Sequence, residues 1–124
     1  MSQWLPSLPP EHLAARAELL QTLRRFFVDR SVLEVETPLL SQGTVPDPGI
    51  DVFSLPGEGD EPDRYLQTSP ESAMKRLLAA GAGDIFQICK AFREGEAGRY
   101  HNPEFTLLEW YRVGWDHAAL MREV

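Results

Sequence analysis

Residues 86–112 read FQICKAFREGEAGRYHNPEFTLLEWYR. The stretch divides into an apolar run, a polar turn and a second apolar run. Residues 85–92 are expected to form a strand, 93–102 the loop of a long hairpin, and 105–110 the returning strand. The loop and its flanks carry Arg93, Glu94, Glu96, Arg99, His101, Asn102 and Glu104. So many polar groups between strands rich in Phe, Trp and Tyr is unusual for a hairpin that only holds structure. Arginines beside aromatic rings suit a nucleoside phosphate, because guanidinium pairs with phosphate oxygens in a bidentate way. A ring such as Phe105 can stack on a base. The alternative is an exposed ribbon laced with salt bridges.

Working outward toward the N-terminus, residues 68–71 (Thr-Ser-Pro-Glu) open a helix. Thr68 with Glu71 fits a capping box. Met74, Leu77 and Leu78 form the helix's inner face, and Gly81 and Gly83 end it. Residues 56–63 (PGEGDEPD) make a solvated loop, entered by a short strand at 50–55 and left by one at 64–67. Residues 41–49 are another loop. Residues 32–37 alternate, with Leu33, Val35 and Thr37 on one side and Val32, Glu34 and Glu36 on the other, which predicts a strand ended by Pro38. Before Ser31, residues 11–30 carry an apolar stripe at Leu13, Ala17, Leu20, Leu23 and Phe27, the spacing of a helix. Pro6, Pro9 and Pro10 mark an irregular lead-in. Beyond the hairpin, Asp116 is placed to cap a short final helix. The fold class is therefore α+β, a mostly antiparallel sheet flanked by helices.

Composition bounds the function. The chain has 124 residues, with 12 Lys+Arg against 19 Asp+Glu and a formal net charge of −7. That balance argues against a protein held mainly on nucleic-acid phosphates. No apolar run reaches the roughly 18–20 residues of a membrane helix, and the N-terminus does not resemble a signal peptide. A single cysteine, Cys89, excludes an intrachain disulfide and a Cys-rich zinc site, and is most simply a buried strand residue. The expected compartment is the cytoplasm.

The 86–112 block resembles motif 2 of the class II aminoacyl-tRNA synthetases, and its His-Asn-Pro-Glu-Phe-Thr run (101–106) is similar to the lysine-specific branch. Residues 26–40 (FFVDRSVLEVETPLL) resemble motif 1: a long helix, a strand and a closing proline. Thr68-Ser69-Pro70-Glu71 followed by Met74-Lys75-Arg76-Leu77 resembles the amino-acid-binding segment between them. Within that branch, residues 98–112 (GRYHNPEFTLLEWYR), and the short stretch before the motif 1 helix, look most like enzymes that lack the anticodon-binding domain. Those enzymes ligate β-lysine to elongation factor P.

The resemblance implies an activity and a site. ATP with Mg²⁺ would activate lysine or β-lysine as an adenylate, for transfer to a lysine of elongation factor P rather than to tRNA. Arg93 would grip the α-phosphate of ATP, unless it is paired with Glu94 or Glu96. His101 and Asn102 would face the phosphates and adenosine, the alternative for His101 being a core or hinge role. Phe105 would lie beneath adenine, or simply fill the core. Ser69 and Glu71 would hold one end of the amino acid, and Glu109 and Tyr111 the amine at the other. No residue is expected to bind a metal directly. A homodimer through the motif 1 helix and strand is expected.

Two departures stand out. The family pattern after the motif 2 arginine is Arg-x-Glu, but here Arg93-Glu94-Gly95-Glu96 puts glycine at the glutamate position. Motif 3 is also absent. Residues 1–124 are therefore expected to be the N-terminal part of a class II catalytic domain, with motif 1 at about 24–40 and motif 2 at about 85–112. By itself this part is expected to show little or no adenylation. A lysyl-tRNA synthetase core and a non-catalytic dimerisation or binding module are the competing expectations.

Overall fold

The structure is a computed structural model that describes residues 8–124. Pro6, counted above in the lead-in, lies outside the described residues. Helix α1 spans Pro10–Val28. Pro10 belongs to the helix rather than to the lead-in, because proline's fixed φ and missing N–H suit the first helical position. Ser31 then turns the chain with φ 57°, and the Val32 N–H donates to Phe27 O.

Two three-stranded sheets follow. In the first, β1 (Leu33–Glu34) runs parallel to β5 (Ile85–Phe92), and β5 runs antiparallel to β6 (Glu104–Tyr111) along its full length. In the second, β4 (Arg64–Leu66) lies between β2 (Leu40–Ser41) and β3 (Ser54–Leu55), all antiparallel. Helix α2 (Glu71–Ala79) follows β4, and α3 (His117–Glu123) follows β6. The α+β expectation holds, with one parallel pair.

The core sits where α1 meets one face of the β5–β6 hairpin. Phe27 stacks on Phe86 with ring centroids 4.5 Å apart. Val32, Ile88, Leu108 and Trp110 complete the cluster. Phe86 pairs with Trp110, and Ile88 with Leu108, so all four point to the helix side. The other face therefore carries Gln87, Cys89 and Ala91 opposite Glu109, Leu107 and Phe105. One hairpin thus has a structural face and a chemical face.

Several expectations are corrected. The strand expected at 32–37 pairs only at Leu33 and Glu34, with one further bond from Val35 N–H to Phe86 O. Val32, expected on the same side as Glu34, is buried while Glu34 is exposed, because the Ser31 turn places Val32 against Phe27 and Phe86. Leu33 and Thr37, expected on one side of the strand, differ in burial: Leu33 is exposed, while Thr37 is buried and donates to Gln87 Oε1 at 3.1 Å. The strand expected at 50–55 shrinks to Ser54–Leu55 plus an isolated bridge from Asp51 to Glu94. The stripe on α1 is covered only toward its C-terminal end: Leu13 is 52% exposed, whereas Phe27 is 2% exposed.

Two junctions position the chemical face. Gly81, at φ 88°, ends α2 in the left-handed region that an L side chain resists. At the far end of β6, the Arg112 guanidinium is buried. Its Nε donates to Glu123 Oε1 at 3.0 Å, and its Nη1 donates to Asp84 Oδ2 at 3.1 Å. Trp110 Nε1 also donates to Glu123 Oε2 at 3.0 Å. This knot clamps α3 onto the hairpin. Asp116 caps α3 as expected, accepting from the Ala119 N–H at 2.7 Å.

Candidate active site

The chemical face of β6 carries Phe105, Leu107, Glu109 and Tyr111, which share one side because they are two apart. Tyr111 donates its hydroxyl hydrogen to Glu109 Oε1 at 2.6 Å, and Ser69 donates to Glu109 Oε2 at 2.8 Å. Both oxygens of one carboxylate are thereby oriented. Burial first, and then the neighbouring Glu109, push the Tyr111 phenol well above the ordinary range for a tyrosine. It stays a donor at any physiological pH.

The capping box expected from Thr68 does not form. Thr68 is buried, and α2 has Pro70 at its N-cap with no side-chain cap. The hydroxyl of Ser69 does part of that work, accepting from the Glu71 N–H at 3.1 Å. Ser69 thus joins the start of α2 to Glu109. Glu71 itself is ion-paired with Lys75, one helical turn on. An exposed pair of this kind is worth only about 0.3–0.5 kcal/mol, so an ammonium guest can displace it at small cost.

Arg93 lies at the other end of the same hairpin face. Its guanidinium carbon is 5.0 Å from the centroid of the Phe105 ring. Its Nη1 is 3.8 Å from Glu96 Oε1, a loose contact, and its buried Nε has no partner among the described residues. Glu96, not Glu94, is therefore the acid beside Arg93; the Glu94 N–H donates to Asp51 O at 2.9 Å. Gly95 sits at φ 76°, where a glutamate side chain would be strained.

Arg93 and His101 line one recess of about 330 Å³, together with Gly95, Glu96, Ala97 and Gly98. His101 is exposed, which removes the core-histidine alternative. Asn102 is also exposed, beside the recess but not among its walls. Phe105 is half-buried against Arg93.

The predicted residues therefore form two groups, Arg93–His101–Phe105 and Ser69–Glu71–Glu109–Tyr111. Four residues of strand, about 13 Å at the usual rise, separate Phe105 from Glu109. Such a face can take an anion at one end and a cationic group at the other. No group of three His, Cys, Asp or Glu among the described residues is arranged to hold a metal ion. These residues do not by themselves fit a Mg²⁺ site. Among the described residues, no helix is long and apolar enough to cross a membrane.

Three buried polar side chains escaped the sequence reading. Gln67, Gln87 and Thr44 each have a buried polar atom without a partner among the described residues. Gln67 and Thr44 line a cleft of about 490 Å³ that also includes Ser69, Ser72 and Arg76. A glutamine between Phe86 and Ile88 in a mostly apolar strand, as at Gln87, is a signal that could have found one of them.

The α+β fold with this long hairpin agrees with a class II synthetase-type core. The family of tRNA synthetases class II (D, K and N) matches residues 9–124, and the chain belongs to it. It is 55% identical over 128 residues to the elongation factor P–(R)-β-lysine ligase of Edwardsiella ictaluri (strain 93-146), covering 100% of this chain and 39% of that protein. It is 54% identical over 127 residues to the protein of the same name in Pectobacterium carotovorum subsp. carotovorum (strain PC1), covering 99% and 39% respectively. The match in Vibrio cholerae serotype O1, again of that name, is also 54% over 127 residues. The chain thus spans about two fifths of the length of these curated relatives.

Proposed function

We propose that the protein containing this chain activates lysine or β-lysine with ATP in the cytoplasm and transfers it to a lysine of elongation factor P. The substrate carboxylate attacks the α-phosphorus in line, pyrophosphate leaves, and an aminoacyl adenylate forms. The amine of the target lysine then attacks the activated carbonyl, and AMP leaves. No covalent nucleophile of the enzyme is needed; positioning and charge lower the barrier.

The observation that carries this proposal is Glu109, held on both oxygens by Ser69 and Tyr111 on the same sheet face as Arg93. Arg93 stabilises negative charge growing on the α-phosphoryl oxygens, and its loose 3.8 Å contact with Glu96 leaves the guanidinium available to them. His101, and Asn102 beside it, meet the nucleotide, and Phe105 supports adenine. Glu109 with Tyr111 takes one ammonium of a diamino acid, and Glu71 takes the other. The uncovered N-terminal half of α1, with Leu13 and Leu19 exposed, suits a homodimer through the motif 1 helix and strand. The names of the relatives favour elongation factor P over tRNA as acceptor.

The test is amino-acid-dependent ATP–pyrophosphate exchange by the full-length protein, followed by transfer assays. Exchange with lysine or β-lysine, lowered about 100-fold or more in Arg93→Ala, and transfer to elongation factor P are the expected results. Exchange indifferent to Arg93 overturns the proposal. Transfer to tRNA but not to elongation factor P turns it into a lysyl-tRNA synthetase.

A further inference from the structure

The cleft beside the Ser69–Glu109 contact has an inner wall whose polar atoms are unevenly satisfied. Gln67 is only 6% exposed and lies between the two sheets. Its backbone N–H donates to Leu39 O at 2.9 Å, and its carbonyl accepts from the Phe92 N–H at 2.9 Å. Its side-chain Nε2 donates to Lys90 O at 2.7 Å and to Cys89 Sγ at 3.4 Å. A carbonyl oxygen can only accept, so the contact with Lys90 O decides which end of the amide is nitrogen. The Oε1 atom then lies on the side of the amide away from that contact. It is buried and has no donor among the described residues.

Thr44 Oγ1, also in the cleft, is a second buried polar atom with no partner among the described residues. Two such orphans in one cleft are uncommon in a folded protein, where buried polar groups are almost always paired. Ser69 already donates to Glu109 and Ser41 to Gly43 O, so neither of those hydroxyls serves them. Gln67 Oε1 can only accept, and Thr44 Oγ1 can accept as well as donate, so a guest that brings N–H groups would satisfy both.

We propose that Gln67 is a specificity-determining residue whose Oε1 accepts a hydrogen from an ammonium of the amino-acid guest, with Thr44 closing the same subsite. This rests on the function proposed above and adds a neutral acceptor to the two carboxylate anchors. A fixed amide oxygen carries no charge, so it selects for the position of an N–H donor without a second strong ionic attraction. Its hold on β5 through Lys90 O keeps it at one depth in the cleft.

The experiment uses the full-length protein and compares wild type with Gln67→Leu and Gln67→Glu in ATP–pyrophosphate exchange. The guests are lysine, norleucine (which lacks the terminal amine) and aminocaproate (which lacks the amine beside the carboxylate). Gln67→Leu is expected to raise KM for lysine about tenfold or more, leaving kcat and KM for ATP within about threefold. The penalty should vanish for whichever analogue lacks the amine that Gln67 meets. Gln67→Glu keeps an acceptor oxygen and should recover part of the loss.

An unchanged lysine KM in Gln67→Leu overturns the inference, as does an equal penalty on all three guests. If Gln67→Leu does not fold, Gln67→Met and Thr44→Val give the same reading by calorimetric titration with lysine, where unchanged affinity in both overturns it. Wild-type protein inactive with every diamino acid sinks the proposed function and this inference with it. An active enzyme indifferent to Gln67 sinks only this inference.

Discussion

Tyr111 donates to Glu109 across two residues of one strand, at 2.6 Å, and so fixes the carboxylate that Ser69 also grips. Without the phenol, Glu109 loses one of its two orienting contacts. A hydrogen bond to a charged group contributes about 1.5–3 kcal/mol. Tyr111→Phe should therefore raise KM for the amino acid about 10–100-fold in ATP–pyrophosphate exchange, with KM for ATP little changed. An equal rise in both constants would mean that the hairpin, not the contact, had been disturbed.

The same pair makes a spectroscopic prediction. Burial, with Glu109 next and Glu71 contributing, raises the Tyr111 pKa above that of a free phenol. A raised folded-state value stabilises the fold below the unfolded value of about 10, and that contribution is lost as pH rises through the higher folded value. Followed by ultraviolet absorbance of tyrosinate, alkaline titration should show a late step that disappears in Tyr111→Phe. A titration curve unaltered by the substitution would contradict the burial of the hydroxyl beside Glu109.

Much of this site is legible in the sequence because its residues lie on one regular strand. Period-two geometry alone puts Glu109 and Tyr111 on the same side, and the β5 and β6 runs are long enough to define their own pairing. What escapes is what depends on distant partners. The Ser69 contact with Glu109 spans 40 residues, and no local pattern foretells it. Thr68 fits a helix cap by spacing, but α2 begins at Glu71 with Pro70 at the N-cap, which leaves Thr68 outside the capping position. The ends of Gln67 and Thr44 that lack partners among the described residues line a cleft between segments distant in sequence. Short strands such as β1 fail for the opposite reason: two paired residues carry too little periodicity to separate strand from turn.

Gly95 is the departure whose consequence is most local. Its φ of 76° lies in the left-handed region, and its nearest neighbour is Asp51 Oδ2. Gly95→Glu restores the family's Arg-x-Glu spacing on paper. It should instead destabilise the hairpin turn by roughly 1–2 kcal/mol, with like-charge repulsion from Asp51 added. Thermal melting checks the sign, and a stabilised variant would show that the turn can adopt another conformation. Glu96→Gln, which removes the acid beside Arg93, should leave the melting temperature almost unchanged, since the 3.8 Å contact is long and partly exposed.

The hydrophobic face has its own test. Phe27 is 2% exposed and stacks on Phe86 while touching Phe26 and Trp110. Phe27→Ala removes the ring that joins α1 to the hairpin. A buried phenylalanine truncated to alanine costs about 3–5 kcal/mol, a large share of the stability of a small domain. Denaturant unfolding should show a loss of this size, and Phe27→Leu should recover most of it. Loss of less than about 1 kcal/mol would mean that the α1–hairpin contact is not central to the fold.

The knot at Arg112 predicts a response to acid. Hydrogen bonding to Arg112 is the largest influence on Glu123 and holds its carboxyl below the ordinary range, against the opposing effect of burial. A depressed folded-state value adds stability that is fully present above the unfolded glutamate value of about 4.3. That stability is lost as pH falls through the lower folded value. The melting temperature should therefore drop as pH is lowered below the unfolded value. Glu123→Gln should start less stable at neutral pH and flatten that part of the profile, because a neutral amide has no proton to gain. Arg112→Met leaves Glu123 and Asp84 without their cation, and breaking one side of a buried pair costs about 3–5 kcal/mol. The two variants should differ in their response to acid as well as in size. With Arg112 gone, a buried Glu123 is helped by protonation, so mild acid should partly restore Arg112→Met while it weakens the wild type. Parallel acid profiles for wild type and both variants would show that α3 is not held by this ion pair.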